Sequence, residues 1–270
     1  MLIDAHLHLQ DVRLDGVRPQ MAKLIESENI GQLVVNGTRE GDWGKVVDCA
    51  DSFSQVIPSF GLHPWWLNER SSNWLHHLEE HLRTFPAAVG EIGLDRWFRK
   101  DNIEEQEEVF LLQWELANRL GLPVSVHCLK AWGRLLDLVR RVPHLGPGFL
   151  LHSYSGPVEM IQEWVAMGAR FSISGYFAHP RKASRKKVFE QIPFDRLLIE
   201  TDAPDMHLPE LLQTHHGGVD HKNAPVNHPG NLRSVYRFVS GWLGCPMDEL
   251  EAQTESNHDR MFHGTSRVNS

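Results

Sequence analysis

The chain has 270 residues, with 27 Lys and Arg against 35 Asp and Glu, a formal net charge of −8. That length suits a single large α/β domain, and no apolar run approaches the roughly 18 residues that a membrane-crossing helix needs. The acidic balance gives no global sign of a nucleic-acid coat, although bound divalent cations would reverse the field locally. The first strand-like run opens at Leu2 and is expected to leave no room for a signal peptide. Cys49, Cys128 and Cys245 are odd in number and unpatterned, which reads as reduced thiols in the cytoplasm.

Eight strand-like runs follow one another, ending near His6, Asn36, Leu62, Glu91, His127, His152, Ser174 and Asp202. The segments between them read as amphipathic helices: Arg18 to Ser27, Asn73 to Thr84, Ile103 to Leu120, Ala131 to Arg141, Val158 to Met167 and Arg181 to Gln191. Two more follow the last strand, Leu232 to Leu243 and Asp248 to His263. Ile103 to Leu120 is the clearest, because Gly121 and Pro123 stop it. Parallel strands need helical crossovers, so eight strand–helix units in series predict a (β/α)8 TIM barrel over residues 1–264 as one domain. Residues 265–270 are expected to form a frayed tail. An open doubly wound sheet is the other architecture, but it would gather ligands at one switch point and not around a ring.

Six potential ligands stand at the ends of these runs: His6, His8, Glu91, His127, His152 and Asp202. Residues two apart in a strand share a face, so His6 and His8 project together while Ala5 and Leu7 are expected to face the helices. A lone His-x-His means little; convergence on the C-terminal rim, where barrel active sites lie, gives the set its weight. Four imidazoles and two carboxylates suit zinc, manganese or iron better than an all-oxygen magnesium cage; zinc, manganese and magnesium are the candidate ions. Six ligands exceed what one ion accepts with a position left open. Two divalent ions are therefore expected about 3.5–4 Å apart, bridged by Glu91. His6, His8 and Asp202 would hold the first and His127 and His152 the second, with Glu200 orienting a ligand from behind.

Asp4-Ala5-His6-Leu7-His8, Gly61-Leu62-His63-Pro64, Gly90-Glu91-Ile92-Gly93-Leu94-Asp95 and Leu122-Pro123-Val124-Ser125-Val126-His127 stand in this order along the chain. Leu151-His152-Ser153-Tyr154-Ser155-Gly156, Leu198-Ile199-Glu200-Thr201-Asp202-Ala203-Pro204 and Asn227-His228-Pro229-Gly230-Asn231-Leu232 follow them. In these motifs and their order the chain resembles the TatD family, a branch of the amidohydrolase superfamily. The resemblance implies a TIM barrel, a dinuclear site with the same six ligands, and metal-dependent deoxyribonuclease activity, including removal of nucleotides from 3′ ends. A glutamate at position 91 fits this branch, where other branches use a carboxylated lysine. Two departures lie on rim loops: Trp65 and Trp66 stand where many relatives carry a histidine. Val226-Asn227-His228-Pro229 replaces the more usual arginine–asparagine–glutamate–proline.

The chemistry expected is in-line attack on phosphorus by a metal-activated water, with Glu91 bridging and Asp202 orienting the water and taking its proton. His63 is either a hydrogen-bond donor to the phosphate or leaving oxygen, or a structural cap. Tyr154, Ser155 and Gly156 lie where backbone N–H groups could meet an anion. The run from Gly175 to Lys187 sets aromatics before cations, with Arg181 and Arg185 one helical turn apart; it reads either as a nucleic-acid footprint or as a solvated helix start. The His-rich stretch from Ala203 to Gly230 reads as a mobile rim loop that shapes access. Trp65, Trp66 and Trp97 either wall the cleft and stack bases or pack loops onto the barrel. Single-stranded DNA or DNA 3′ ends are the substrate expected, with no membrane and no obligate protein partner. An ester or amide hydrolase, such as an aminoacyl-tRNA deacylase, is the alternative. Imidazoles bind metal only when neutral, so activity is expected to fall through roughly pH 6 to 5.

Overall fold

The computed structural model describes residues 1–98 and 102–262. The proposed tail, 265–270, and the expected helix end at His263 lie outside the described residues. Eight parallel strands run in chain order: β1 (Leu2–Leu7), β2 (Ile30–Asn36), β3 (Val56–Phe60), β4 (Ala88–Asp95), β5 (Val124–Leu129), β6 (Phe149–Leu151), β7 (Ala169–Ser174) and β8 (Leu197–Glu200). Each pairs with its successor. The ring is drawn together past the end of β8, where the Asp202 N–H donates to the His6 carbonyl at 2.9 Å and the His8 N–H to the Ala203 carbonyl at 2.7 Å. The chain is a (β/α)8 barrel, as its strand–helix alternation predicts.

The helices are α1 (Met21–Ser27), α2 (Glu40–Ser52), α3 (Trp74–Thr84), α4 (Ile103–Leu120), α5 (Trp132–Val139), α6 (Ile161–Ala166), α7 (Lys186–Phe189), α8 (Leu232–Leu243) and α9 (Met247–Phe262). No helix among the described residues is long and apolar enough to cross a membrane. Two differences from the sequence reading have physical causes. Helix α2 was not foreseen, because Gly41 and Gly44 interrupt its polar face; Trp43, Val46, Cys49 and Ala50 nonetheless bury one stripe against the barrel. The expected helix from Arg181 to Gln191 shrinks to the four residues of α7, preceded by a 3-10 stretch over Pro180–Arg185. Five cations at a helix N-terminus oppose its dipole, and Pro180 supplies no N–H.

The barrel interior is layered. Val34, Ile57, Ala88, Leu150 and Leu198 form an apolar plug with Met261 and Phe262 of α9. Two residues further along the same strands, the period of two brings Asn36, Ser59, His152 and Glu200 inward, all buried. Apolar packing thus gives way to polar groups toward the C-terminal rim. Leu7 joins the outer core, as expected, but Ala5 packs with the inner plug. An irregularity in β1–β2 register between Asp4 and Leu7 breaks the simple alternation there.

Candidate metal centre

The six ligand candidates arrive from five strands, His6 and His8 together from β1, and local backbone fixes how deep each sits. Glu91 lies at the centre because Gly90 before it has no side chain: a Cβ there would stand 2.8 Å from Asn36 Oδ1 and 2.8 Å from the Ser125 Cβ. Gly93 likewise lets β4 and β5 approach, since its added Cβ would meet the His127 carbonyl oxygen at 1.9 Å, and its φ of 150° is open to glycine. Asp202 follows β8 in a left-handed conformation, φ 52°, which Asp tolerates better than most residues.

The six side chains meet, divided between the two oxygens of Glu91. Oε2 lies 3.6 Å from His6 Nε2 and 3.4 Å from His8 Nε2. Asp202 Oδ1 lies 3.7 and 3.5 Å from the same two nitrogens. Oε1 lies 2.7 Å from His152 Nε2 and 3.0 Å from His127 Nδ1. Metal–ligand bonds of about 2.1 Å at tetrahedral angles separate ligand atoms by about 3.4 Å, which matches the His6, His8, Glu91 and Asp202 half. The other half is drawn in to hydrogen-bond distance of the carboxylate. The His6 and His152 rings stack at 4.1 Å, which sets the two halves side by side.

Behind the site, three of the four imidazoles are turned by a hydrogen-bond partner on their far nitrogen. His6 Nδ1 meets Ser125 Oγ at 2.8 Å, and His8 Nδ1 meets the Asn36 carbonyl at 2.8 Å. His127 Nε2 faces Asp95 Oδ2 at 3.1 Å, and Trp65 Nε1 donates to the same oxygen at 2.7 Å. His152 Nδ1 faces Glu200 Oε1 at 3.6 Å; Glu200 is itself held by the hydroxyls of Ser153 and Ser172. Such partners fix both tautomer and ring plane. His63 differs: its Nδ1 accepts the Trp65 N–H at 3.1 Å, so the neutral ring carries its proton on Nε2, 3.5 Å from Glu91 Oε1. It caps the following turn and also presents a donor to the site.

Charge follows from this packing. Burial opposes ionisation of Glu91, but the imidazoles of His63 and His152 outweigh it and hold the carboxyl well below its usual range. Burial opposes a proton on His8, yet the Asp202 and Glu91 carboxylates raise it well above the ordinary value. His152 is raised well above it in the same way, against burial, by Glu91 and Glu200. Burial lowers His6, and pushes His63 down to about 4.

The donor set fits a divalent cation. His6 Nε2 is buried with no hydrogen-bond partner while two carboxylate oxygens stand beyond contact, an arrangement that a shared cation would satisfy. Three overlapping groups have ligand atoms close enough to share an ion: His6, His8 and Glu91; His6, His152 and Asp202; and His63, Glu91 and His127.

Above the site is a cavity of about 360 Å³ lined by His8, His63, Glu91, His127, His152 and Asp202. Trp65 and Trp66 wall it, together with Arg13, Arg39 and Lys45. Arg13 is held by Asp11 and Asp205, and Arg39 stacks on Trp66 at 4.2 Å. Trp97 and Phe98 are exposed nearby, Phe98 at 5.0 Å from Trp65. The other substrate candidates fall elsewhere. Tyr154 is fully buried and its hydroxyl donates to the Pro157 carbonyl at 2.6 Å. The helical turn after β6 opens only at Val158, beyond Ser155 and Gly156, and Arg185 donates to the Gly156 carbonyl at 2.8 Å. Arg181 lies against Tyr176. The cavity's cations thus come from the segment after β1 and the start of α2, not from the basic run after β7. Sequence reasoning missed Asp95, Ser125, Arg13, Arg39 and Lys45; only Asp95, four residues after Glu91 in its motif, carried a readable signal.

A family model described as TatD related DNase matches residues 3–263. The uncharacterized metal-dependent hydrolase YjjV of Escherichia coli K12 is 30% identical over 266 residues, covering 97% of each chain. The 3'-5' ssDNA/RNA exonuclease TatD of the same strain is 30% identical over 267 residues, covering 97% of this chain and 98% of its own. Among solved structures, Escherichia coli YjjV superposes with a TM-score of 0.86 at 26% identity, over 97% of this chain and 98% of that one. A TatD family hydrolase from Entamoeba histolytica shares the fold, with a TM-score of 0.83 at 21% identity over 96% and 97%. The chain belongs to the TatD-related DNase family, and it is a metal-dependent hydrolase.

Proposed function

We propose that this hydrolase is a phosphodiesterase that shortens single-stranded DNA, with RNA as a second polymer, from the 3′ end, using two divalent ions. The observation that carries the two-ion reading is the division of Glu91: one oxygen faces His6 and His8, the other His127 and His152. An imidazole-rich set favours zinc or manganese over magnesium. Bound cations would supply an acidified water as nucleophile and neutralise the non-bridging phosphate oxygens.

The chain's own groups do the rest. Asp202, 3.5 to 3.7 Å from His8 and His6, orients the attacking water and takes its proton. His63 Nε2–H donates to a phosphate or leaving oxygen, its ring fixed by the Trp65 N–H. Arg39 and Lys45 at the mouth attract backbone phosphates, and Trp65 with Phe98 offers a face on which an unpaired base stacks. The 3'-5' ssDNA/RNA exonuclease activity in the names of several relatives supports the same substrate class. A reducing compartment, the cytoplasm, suits three free cysteines, two of them buried.

The test sets end-labelled single-stranded DNA and RNA beside duplex DNA and a panel of esters and amides, with zinc or manganese present. Stepwise shortening of the single strands from the 3′ end is expected. Hydrolysis of the esters or amides with both nucleic acids intact would overturn the proposal.

A further inference from the structure

A second cavity, of about 490 Å³, adjoins the one over Glu91. Lys45, Asp48, Cys49 and Ser52 form one wall, spaced so that they share a single face of α2, and Phe53 follows at the helix end. Asp15, Arg18 and Pro19 stand opposite. Gln10 and Lys45 line both cavities and so mark the passage between them. Gln10 is 3% exposed; its amide nitrogen donates to the Asn36 carbonyl at 2.7 Å, and its Oε1 is buried without a hydrogen-bond donor.

We propose that this second cavity is a nucleotide subsite, holding a residue of the substrate strand that continues past the bond being cut. The inference rests on the phosphodiesterase reading. A monomeric ester or amide would need one cavity; a polymer needs a path leading out of it, and this is a path of nucleotide size with a cation at its entrance. Arg18 is tied to Asp15, whereas Lys45 has no ion-pair partner among the described residues, so Lys45 is the charge left for a phosphate. Phe53, half-buried at the end of α2, offers a ring to stack on. The buried Gln10 Oε1 is an acceptor at the passage for a sugar hydroxyl or base amino group.

Binding of fluorescein-labelled phosphorothioate hexathymidylate and dithymidylate, read by anisotropy, tests the proposal without turnover. The hexamer is expected to bind about tenfold tighter than the dimer, because it reaches the second cavity. Ser52→Trp fills that cavity and should erase the preference while leaving dimer affinity unchanged. Asp48→Lys leaves it open and should tighten hexamer binding several-fold, with a salt slope steeper by about one. A preference that persists in Ser52→Trp, or no preference in the unaltered protein, overturns the subsite. Should Ser52→Trp lose both ligands alike, Asp48→Lys decides: tighter hexamer binding supports the subsite and unchanged binding removes it. Hydrolysis of bis(4-nitrophenyl) phosphate by the unaltered protein separates the two ideas. Intact diester hydrolysis without the length preference sinks the subsite alone, whereas no diester hydrolysis sinks the phosphodiesterase reading.

Discussion

Asp95 shows how a residue outside the six ligand candidates positions one of them. Its carboxylate receives His127 Nε2, Trp65 Nε1 and the backbone N–H groups of Trp97 and Phe98, so it fixes one imidazole and one wall of the cleft together. Asp95→Asn can keep the oxygen that accepts the Trp97 and Phe98 N–H groups, but its amide nitrogen then replaces the oxygen shared by Trp65 and the imidazole, lowering metal affinity about 10–100-fold in a chelator competition with the fold intact. Unchanged affinity would remove Asp95 from the centre. Protons compete at the same nitrogens. His8 and His152 are raised well above the ordinary histidine value, so they stay protonated to higher pH, and a cation needs them neutral. Metal affinity should therefore fall with decreasing pH, and the fall should begin above the window of roughly 6 to 5 that unperturbed imidazoles suggest. A flat affinity between pH 8 and 5 would contradict this. The six side chains that gather at Glu91 were legible in the sequence because each ends a strand-like run. Ser125 and Asp95 were not, because an ordinary polar residue gains its role only when neighbouring strands set it against a ligand. Arg185 misled for the converse reason: its charge is plain in the sequence, but the carbonyls it holds are not.

Among the elements, the longest connection shows the clearest division. The His-rich stretch between β8 and α8 was expected to be a mobile loop, yet its last part is locked. His228 Nδ1 accepts the Gly230 N–H at 2.9 Å, its ring stacks on His215 at 5.1 Å, and Asn231 holds the chain through Thr214 and His215. Burial, with His215 and His216 close by, pushes His228 down to about 4. A depressed histidine takes up a proton more readily once unfolded, so its contribution to stability is full above about 6.5, falls as pH drops from there, and is exhausted near 4. Amide protection factors in residues 214–231, with the intrinsic pH dependence of exchange divided out, should fall across that window and be held up by His228→Asn, whose side chain caps without titrating. Equal protection factors at pH 7 and 5 would contradict the assignment. Helices with a continuous apolar stripe, such as α4, were readable to the residue. Those broken by glycine or crowded by like charge, α2 and α7, were not, since their register is set by what they pack against.

For the molecule as a whole, the barrel separates stability from chemistry along its axis. The inner plug of Val34, Ile57, Ala88, Leu150 and Leu198 is sealed by Met261 and Phe262, far along the strands from the ligand rim. Phe262→Ala should cost about 3–5 kcal/mol in denaturant unfolding while metal content per folded molecule stays unchanged. Loss of metal in step with stability would show that the two ends are coupled. The closed ring was predictable from eight strand–helix units. Its closure through Asp202 and His8 was not, because those bonds join residues at opposite ends of the barrel sequence.

In the proposed two-ion centre one carboxylate, Glu91, divides between two cations held by opposite halves of the rim. The most direct test is metal content per chain, measured by mass spectrometry after equilibration with zinc or manganese, for the unaltered protein and for Glu91→Gln. Two ions per chain, falling to one or none in Glu91→Gln with turnover lost, are the expected result. A single ion in both proteins, or two ions and full turnover without the Glu91 carboxylate, would contradict it.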